Sequence, residues 1–193
     1  MPFPVQPNRD ALIVVDVQRD FCPGGALAVP EGDRVVPVIN RLLHRPWRLR
    51  VATRDWHPSN HCSFREQGGP WPSHCVAESP GAAFHPDLDL SRVDWVVSKA
   101  TAPEAEAYSG FQGTDLASRL RERGVTRVFV CGLATDYCVK QTALDARRAG
   151  FETVVLEDAS RGVDVRPGDT ERALEELRAA GVQVLSSEAL QWP

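Results

Sequence analysis

The stretch Arg127-Val128-Phe129-Val130-Cys131-Gly132-Leu133-Ala134-Thr135-Asp136-Tyr137-Cys138 changes character halfway along. Arg127–Cys131 is a short apolar run rich in valine and without alternation, the pattern of a strand buried on both faces. From Thr135 to Arg148 the pattern is helical, and it stops at Gly150. Working outward, Ala11–Val15, Asp94–Ser98 and Thr153–Leu156 repeat the strand pattern, and Leu49–Thr53 and Gln183–Leu185 carry it more weakly. Helical spacing recurs in Asp33–His44, which sets Val35, Val36, Ile39, Leu42 and Leu43 on one side. It recurs in Asp115–Arg123, with Leu116 and Leu120 before Gly124, and in Asp169–Ala180, with Ala173, Leu174 and Leu177 before Gly181. Glycine stops and Asp or Thr starts are the capping chemistry such helices require.

Strands alternating with helices predict a three-layer α/β fold, a parallel sheet with helices on both faces. Such sheets bind ligands beyond the carboxyl ends of their strands, so the residues leaving each strand matter most. The alternation is interrupted by Trp56–Leu90, rich in Pro, Gly, His and Trp. A loop of that length in a compact domain is usually functional. No repeat, low-complexity tract or linker divides the 193 residues, and one domain over 1–193 is expected.

A formal net charge of -4 without a basic cluster argues against a nucleic-acid partner. The apolar run Ala11–Val15 is cut off by Asp16, too short for a membrane span or a signal segment, so a cytoplasmic location is expected. The expected partner is a small molecule, in a monomer or an oligomer. The five cysteines are odd in number and form no Cys-x-x-Cys pair, which favours free thiols over a disulfide framework.

The strand exits carry an acid, an amine and a thiol: Asp16, Lys99 and Cys138. Taken singly, an Asp after a strand is more often a loop residue, a Lys there is more often solvated, and a lone helical Cys is more often core. Together they suit nucleophilic catalysis. Cys138 falls in the first turn of the helix expected from Thr135, where a helix terminus and the Lys99 charge would lower its pKa. Asp16 would take the thiol proton and deliver it to a leaving amine, and amides at the helix head would bind an oxyanion. The long loop holds Asp55-Trp56-His57 at its start, then His61 and His74, an N/O set suited to zinc, iron or manganese with positions left open.

Six segments in order resemble the nicotinamidase/pyrazinamidase branch of the isochorismatase-like cysteine hydrolases. They are Val15–Gly25, Thr53–Pro58, Trp71–Cys75, Ser98-Lys99, Tyr108–Phe111 and Gly132–Val139. The resemblance implies a parallel six-stranded sheet and a triad of Asp16, Lys99 and Cys138. It implies one divalent metal, zinc before iron or manganese, on Asp55, His57 and His74, with His61 a fourth ligand that only some members use. Phe21 and Trp71 match residues that sandwich the substrate ring. A cis peptide is implied at Leu133–Ala134, with the amides of Ala134 and Cys138 forming the oxyanion hole. The implied reaction is deamidation of nicotinamide to nicotinate and ammonia through a thioester, a step of NAD salvage. Ala100 departs from the glycine of many relatives, and the spacing from Lys99 to Tyr108 varies among them; both bear on the pocket wall.

The alternative is a superfamily amidase acting on another carboxamide or a carbamoyl substrate, though such relatives generally lack the Asp-x-His…His set. A dinucleotide-binding module would follow its first strand with Gly-x-Gly-x-x-Gly, where this chain has Asp16-Val17-Gln18-Arg19-Asp20. A closed structural zinc site would use several cysteines among four ligands, an idea kept open only by Cys62 and Cys75 beside the histidines.

Overall fold

A computed structural model describes residues 1–193. Its strands are β1 (Phe3–Pro4), β2 (Asp10–Val15), β3 (Leu49–Asp55), β4 (Trp95–Lys99), β5 (Arg127–Leu133), β6 (Glu152–Arg161), β7 (Gln183–Leu185) and β8 (Leu190–Gln191). The helices are α1 (Val35–Leu43), α2 (Leu116–Glu122), α3 (Lys140–Arg148) and α4 (Asp169–Ala179). Six strands form one sheet in the order β4-β3-β2-β5-β6-β7, and every pairing is parallel. β1 and β8 pair separately, in parallel. No helix is long and apolar enough to cross a membrane.

The all-buried pattern of β2 and β5 follows from helices on both faces. Leu12 and Val14 of β2 join the core that packs Val36, Ile39 and Leu43 of α1. Ile13 and Val15 point the other way, into a core shared with Leu116 and Leu120 of α2, Ala143 and Ala146 of α3, and Leu177 of α4. Burying each of the Val, Leu and Ile side chains among them contributes roughly 1.5–3 kcal/mol. The sheet order reverses direction at β2, with β3 on one side and β5 on the other, which opens a crevice at their carboxyl ends. β2 and β5 approach closely there: a Cβ on Gly132, at φ 118, would lie 2.2 Å from the Val15 carbonyl oxygen. Only glycine fits.

The expected strands are all present, and four run past their expected ends, to Asp55, Lys99, Leu133 and Arg161. The glycine stops hold: Gly124, Gly150 and Gly181 all have positive φ. The helix starts differ from expectation. Asp115 is at an N-cap but makes no side-chain cap bond. Gly168 precedes α4, and the Asp169 carboxylate accepts the Arg166 amide at 2.8 Å. The segment Asp33–His44 begins with a 3-10 turn, Gly32–Arg34, before α1. The segment Thr135–Arg148 begins with a wide π turn, Thr135–Val139, in which the Ala134 carbonyl accepts the amide of Val139 at 3.1 Å. Between Trp56 and Leu90 there is no strand, only short 3-10 turns and isolated bridges.

Candidate active site

Register brings the strand ends to one level. Val15 of β2 pairs with Thr53 of β3 and Gly132 of β5, and Asp55 of β3 pairs with Lys99 of β4. The next residue of β2, Asp16, turns at φ 50, a left-handed conformation that Asp tolerates better than most residues. Its side chain is thereby turned under the crevice and is 0% exposed. Thr53 donates its hydroxyl to Asp16 Oδ1 at 2.8 Å. Lys99 Nζ lies 2.8 Å from Asp16 Oδ2, donates to Asp55 Oδ1 at 2.5 Å and to the Ala107 carbonyl at 3.1 Å, and lies 3.6 Å from Cys138 Sγ. The acid, the amine and the thiol therefore converge. Lys99 is buried, not solvated.

The electrostatics invert one expectation. Burial pushes the Cys138 thiol well above its usual range, and the pull of the Lys99 ammonium in the other direction does not overcome it. Burial also raises Asp16, against the lowering effect of Lys99. Burial alone would lower Lys99, but Asp16 and Asp55 outweigh it and hold the ammonium charged. The thiol is thus protonated at rest. Asp16 Oδ2 has the Lys99 ammonium beside it at 2.8 Å, and a carboxylate oxygen so placed keeps a lone pair with which to accept a proton.

The second group of residues comes from the long loop. His57 Nδ1 lies 2.9 Å from the His74 carbonyl, and His74 Nδ1 lies 2.7 Å from the Pro72 carbonyl. A carbonyl only accepts, so both rings carry a proton on Nδ1, which leaves Nε2 as the nitrogen that a neutral ring offers to a ligand. His57 Nε2 is buried without a partner. Burial holds the His57 pKa down to about 3, which keeps the ring neutral. One donor atom from each of Asp55, His57 and His74 lies within 4.8 Å of the others. An orphaned buried nitrogen in a carboxylate–imidazole set fits a divalent cation. His61 stacks on His57 at 4.2 Å. Its nitrogens are engaged by the Ser63 hydroxyl at 2.7 Å and the Ala105 carbonyl at 3.0 Å. In this arrangement it does not offer a fourth ligand, although it lies close enough to His57 and Glu106 to form a second acidic–imidazole cluster.

Both groups open onto one cavity. Cys138, Ala134, Asp55, His74, Phe21 and Trp71 all line it, with Leu27, Val29, Leu133 and Val163 making it mostly apolar. Trp71 donates its indole N–H to the Tyr108 hydroxyl at 3.0 Å and meets Tyr137 edge-on at 5.5 Å. Phe21 meets His74 edge-on at 5.6 Å. The Leu133–Ala134 peptide is cis, as expected. Ala100 is at φ 52, a conformation that favours glycine.

Sequence reasoning missed several participants. Asp55 serves Lys99 as well as the histidine group, a contact that depends on the β3–β4 register. Gln18 and Asp20 hold the loop: Gln18 bonds the backbone of Asp55 and Ala82, and Asp20 Oδ2 accepts the Cys75 amide at 2.8 Å, one residue past His74. Asp20 fits only because residue 81 is glycine, whose Cβ would lie 2.1 Å from the carboxylate. Tyr137 and Val163 complete the wall. Val163 is held by its amide donating to Asp136 Oδ1 at 2.9 Å. The one available signal was proximity: Gln18 and Asp20 lie inside the segment that also carries Asp16 and Phe21.

Residues 10–189 match the isochorismatase domain model. The chain is 43% identical to the nicotinamidase of Escherichia coli (strain K12), covering 89% of this chain and 92% of that protein. It resembles the pyrazinamidase of Pyrococcus horikoshii in complex with zinc, with 56% identity, a TM-score of 0.84, and coverage of 92% of this chain and 99% of that one. It also resembles PnC1 from L. infantum in complex with nicotinate, with 43% identity, a TM-score of 0.95 and 99% of each chain covered. The chain belongs to the isochorismatase family, in its nicotinamidase/pyrazinamidase branch.

Proposed function

We propose that this chain is a metal-assisted cysteine amidohydrolase that converts nicotinamide and water to nicotinate and ammonia. The observation that carries the reading is that Cys138, which lines an apolar cavity together with Asp55 and His74, meets the buried Lys99, which in turn pairs with Asp16. The E. coli relative is a nicotinamidase and the L. infantum relative was solved with nicotinate, which supports this substrate. Asp55, His57 and His74 would hold the cation, and we take zinc as the ion because the P. horikoshii relative was solved with it. A cation bound there would supply Lewis-acid chemistry that orients the substrate.

The rest is done by side chains. Phe21 and Trp71 hold the aromatic ring and exclude water, so the carboxamide carbon rests over Cys138. As Sγ attacks that carbon, the thiol proton passes to Asp16. Lys99, paired with both carboxylates, offsets the negative charge that appears. The amides of Ala134 and Cys138 receive the oxyanion. Collapse breaks the carbon–nitrogen bond, and the proton on Asp16 leaves with the amine as ammonia. Water, giving its proton to Asp16, then opens the thioester to the acid and restores the thiol.

The zinc-loaded protein is expected to release ammonia from nicotinamide with a kcat/KM far above that for N-carbamoyl substrates. The opposite preference would assign the chain to the carbamoyl amidases instead.

A further inference from the structure

The hydrogen-bond ladder between β2 and β3 does not reach Asp55. Its last paired residues are Val15 and Thr53, with the Asp16 amide still donating to the Thr53 carbonyl at 3.1 Å. At Asp16 the chain turns away at φ 50, so no backbone of β2 is left to pair with Asp55 on that side. The vacancy is filled by a side chain. Gln18 Oε1 accepts the Asp55 amide at 2.8 Å, and Gln18 Nε2 donates to the Asp55 carbonyl at 2.8 Å. The second Nε2 proton goes to the Ala82 carbonyl at 2.9 Å. Gln18 is 0% exposed. Its carboxamide imitates a peptide group, with acceptor and donor side by side, and so continues the strand pairing beyond the point where the backbone departs. Asn is one carbon too short for this reach, and Glu has no donor.

The consequence falls on Asp55, whose carboxylate sends Oδ1 to Lys99 at 2.5 Å and Oδ2 toward His57 Nε2 at 3.9 Å. We propose that Gln18 is a positioning residue for this carboxylate: it clamps the Asp55 backbone so that one side chain serves the cation and Lys99 together. Through Ala82 it also ties down the far end of the loop that carries His57 and His74. The inference rests on the reading that Asp55, His57 and His74 hold a cation.

The test is zinc affinity, measured with zinc ion alone by competition with a chromophoric chelator, alongside kcat and KM. Gln18→Glu keeps the shape but sets a carboxylate oxygen against two carbonyl oxygens. The expected result is zinc affinity weaker by about 10- to 100-fold, the loss typical for a partner that orients a metal ligand. At saturating zinc, kcat should still be reduced, because the contact of Asp55 with Lys99 is disturbed too, while KM changes little. Gln18→Met, without the charge, should show the same two losses. A purely structural role would lower only the melting temperature and leave both quantities at wild-type values in the folded fraction. That result would overturn the proposal. A measurement on the wild-type chain covers the case of variants that do not fold: the Gln18 side-chain amide signals in a nitrogen-15 spectrum should shift on zinc addition, and unmoved signals would equally overturn it. A wild-type chain that takes up no zinc would instead sink the cation site itself.

Discussion

Asp16 and Lys99 stand at the ends of β2 and β4, the two neighbours of β3, whereas His57 and His74 stand on a loop with no strand of its own. The two regions face one cavity but are held differently. On the sheet side, the ladder fixes the backbone of every strand at once, and side chains emerging at its edge inherit their positions. On the loop side, each residue needs its own tether. The carbonyls of His74 and Pro72 orient the two rings, Asp20 holds Cys75, and Gln18 ties Asp55 to Ala82. On the proposed mechanism the sheet side carries the reacting groups, where small displacements matter most, and the loop side carries groups that bind and orient.

The contrast predicts separable failures. Cys138→Ala should lower kcat by about a thousandfold or more, as expected when a nucleophile is removed and binding alone remains, while zinc uptake stays at the wild-type level. His57→Ala should do the reverse to the metal, losing zinc uptake with a fold unchanged by circular dichroism. Near-normal turnover in Cys138→Ala would break the distinction altogether.

Lys99→Met probes how far the sheet side depends on charge. It leaves two carboxylates, Asp16 and Asp55, facing each other without their shared cation. Breaking a buried pair in this way costs about 3–5 kcal/mol, to be read from denaturant unfolding of the zinc-free protein. A loss below about 1 kcal/mol would mean that water reaches the pair, with the weak energetics of exposed ion pairs.

Acid probes the loop side. Burial holds His57 near 3 in the folded chain, below its ordinary value of about 6.5 in the unfolded one. The unfolded state therefore binds more protons in that window, and the stability this group contributes above about pH 6.5 is lost as pH falls toward 3. In chelator-treated protein the loss should reach about 2 kcal/mol by pH 5, at 1.36 kcal/mol per pKa unit. His57→Gln should flatten that part of the profile.

The smallest effect is expected at Ala100, which follows β4 at φ 52. Ala100→Gly relieves a left-handed alanine but loosens the unfolded chain, so the net gain should be under about 1 kcal/mol, a rise of a few degrees or less in Tm.

The strands were legible because burial on both faces writes itself as unbroken Val, Ile and Leu. Where a strand continued into polar residues, as β6 does through Glu157 and Asp158, the ladder and not the composition carried it on. The two-residue β1 and β8 are too short to leave a pattern. The π turn before α3 has the same apolar spacing as an ordinary first turn. Asp16, Lys99 and Cys138 could be read because they sit where strands end. The raised pKa of Cys138 could not, since burial is a property of the assembled cavity. Gln18 and Asp20 were hidden for a related reason: a polar residue in a strand exit reads as solvated until the partner backbone, 37 or 55 residues away, is in place.

The division of Asp55 between Lys99 and the histidine group limits what mutagenesis at that position can teach. An Asp55 variant that turned out inactive would not say whether metal loss or damage to the amine was responsible, because one side chain answers for both. His74 lacks the second obligation, so dose–response studies of metal dependence are better built on substitutions there, with Asp55 variants kept for measuring how strongly the two functions are linked.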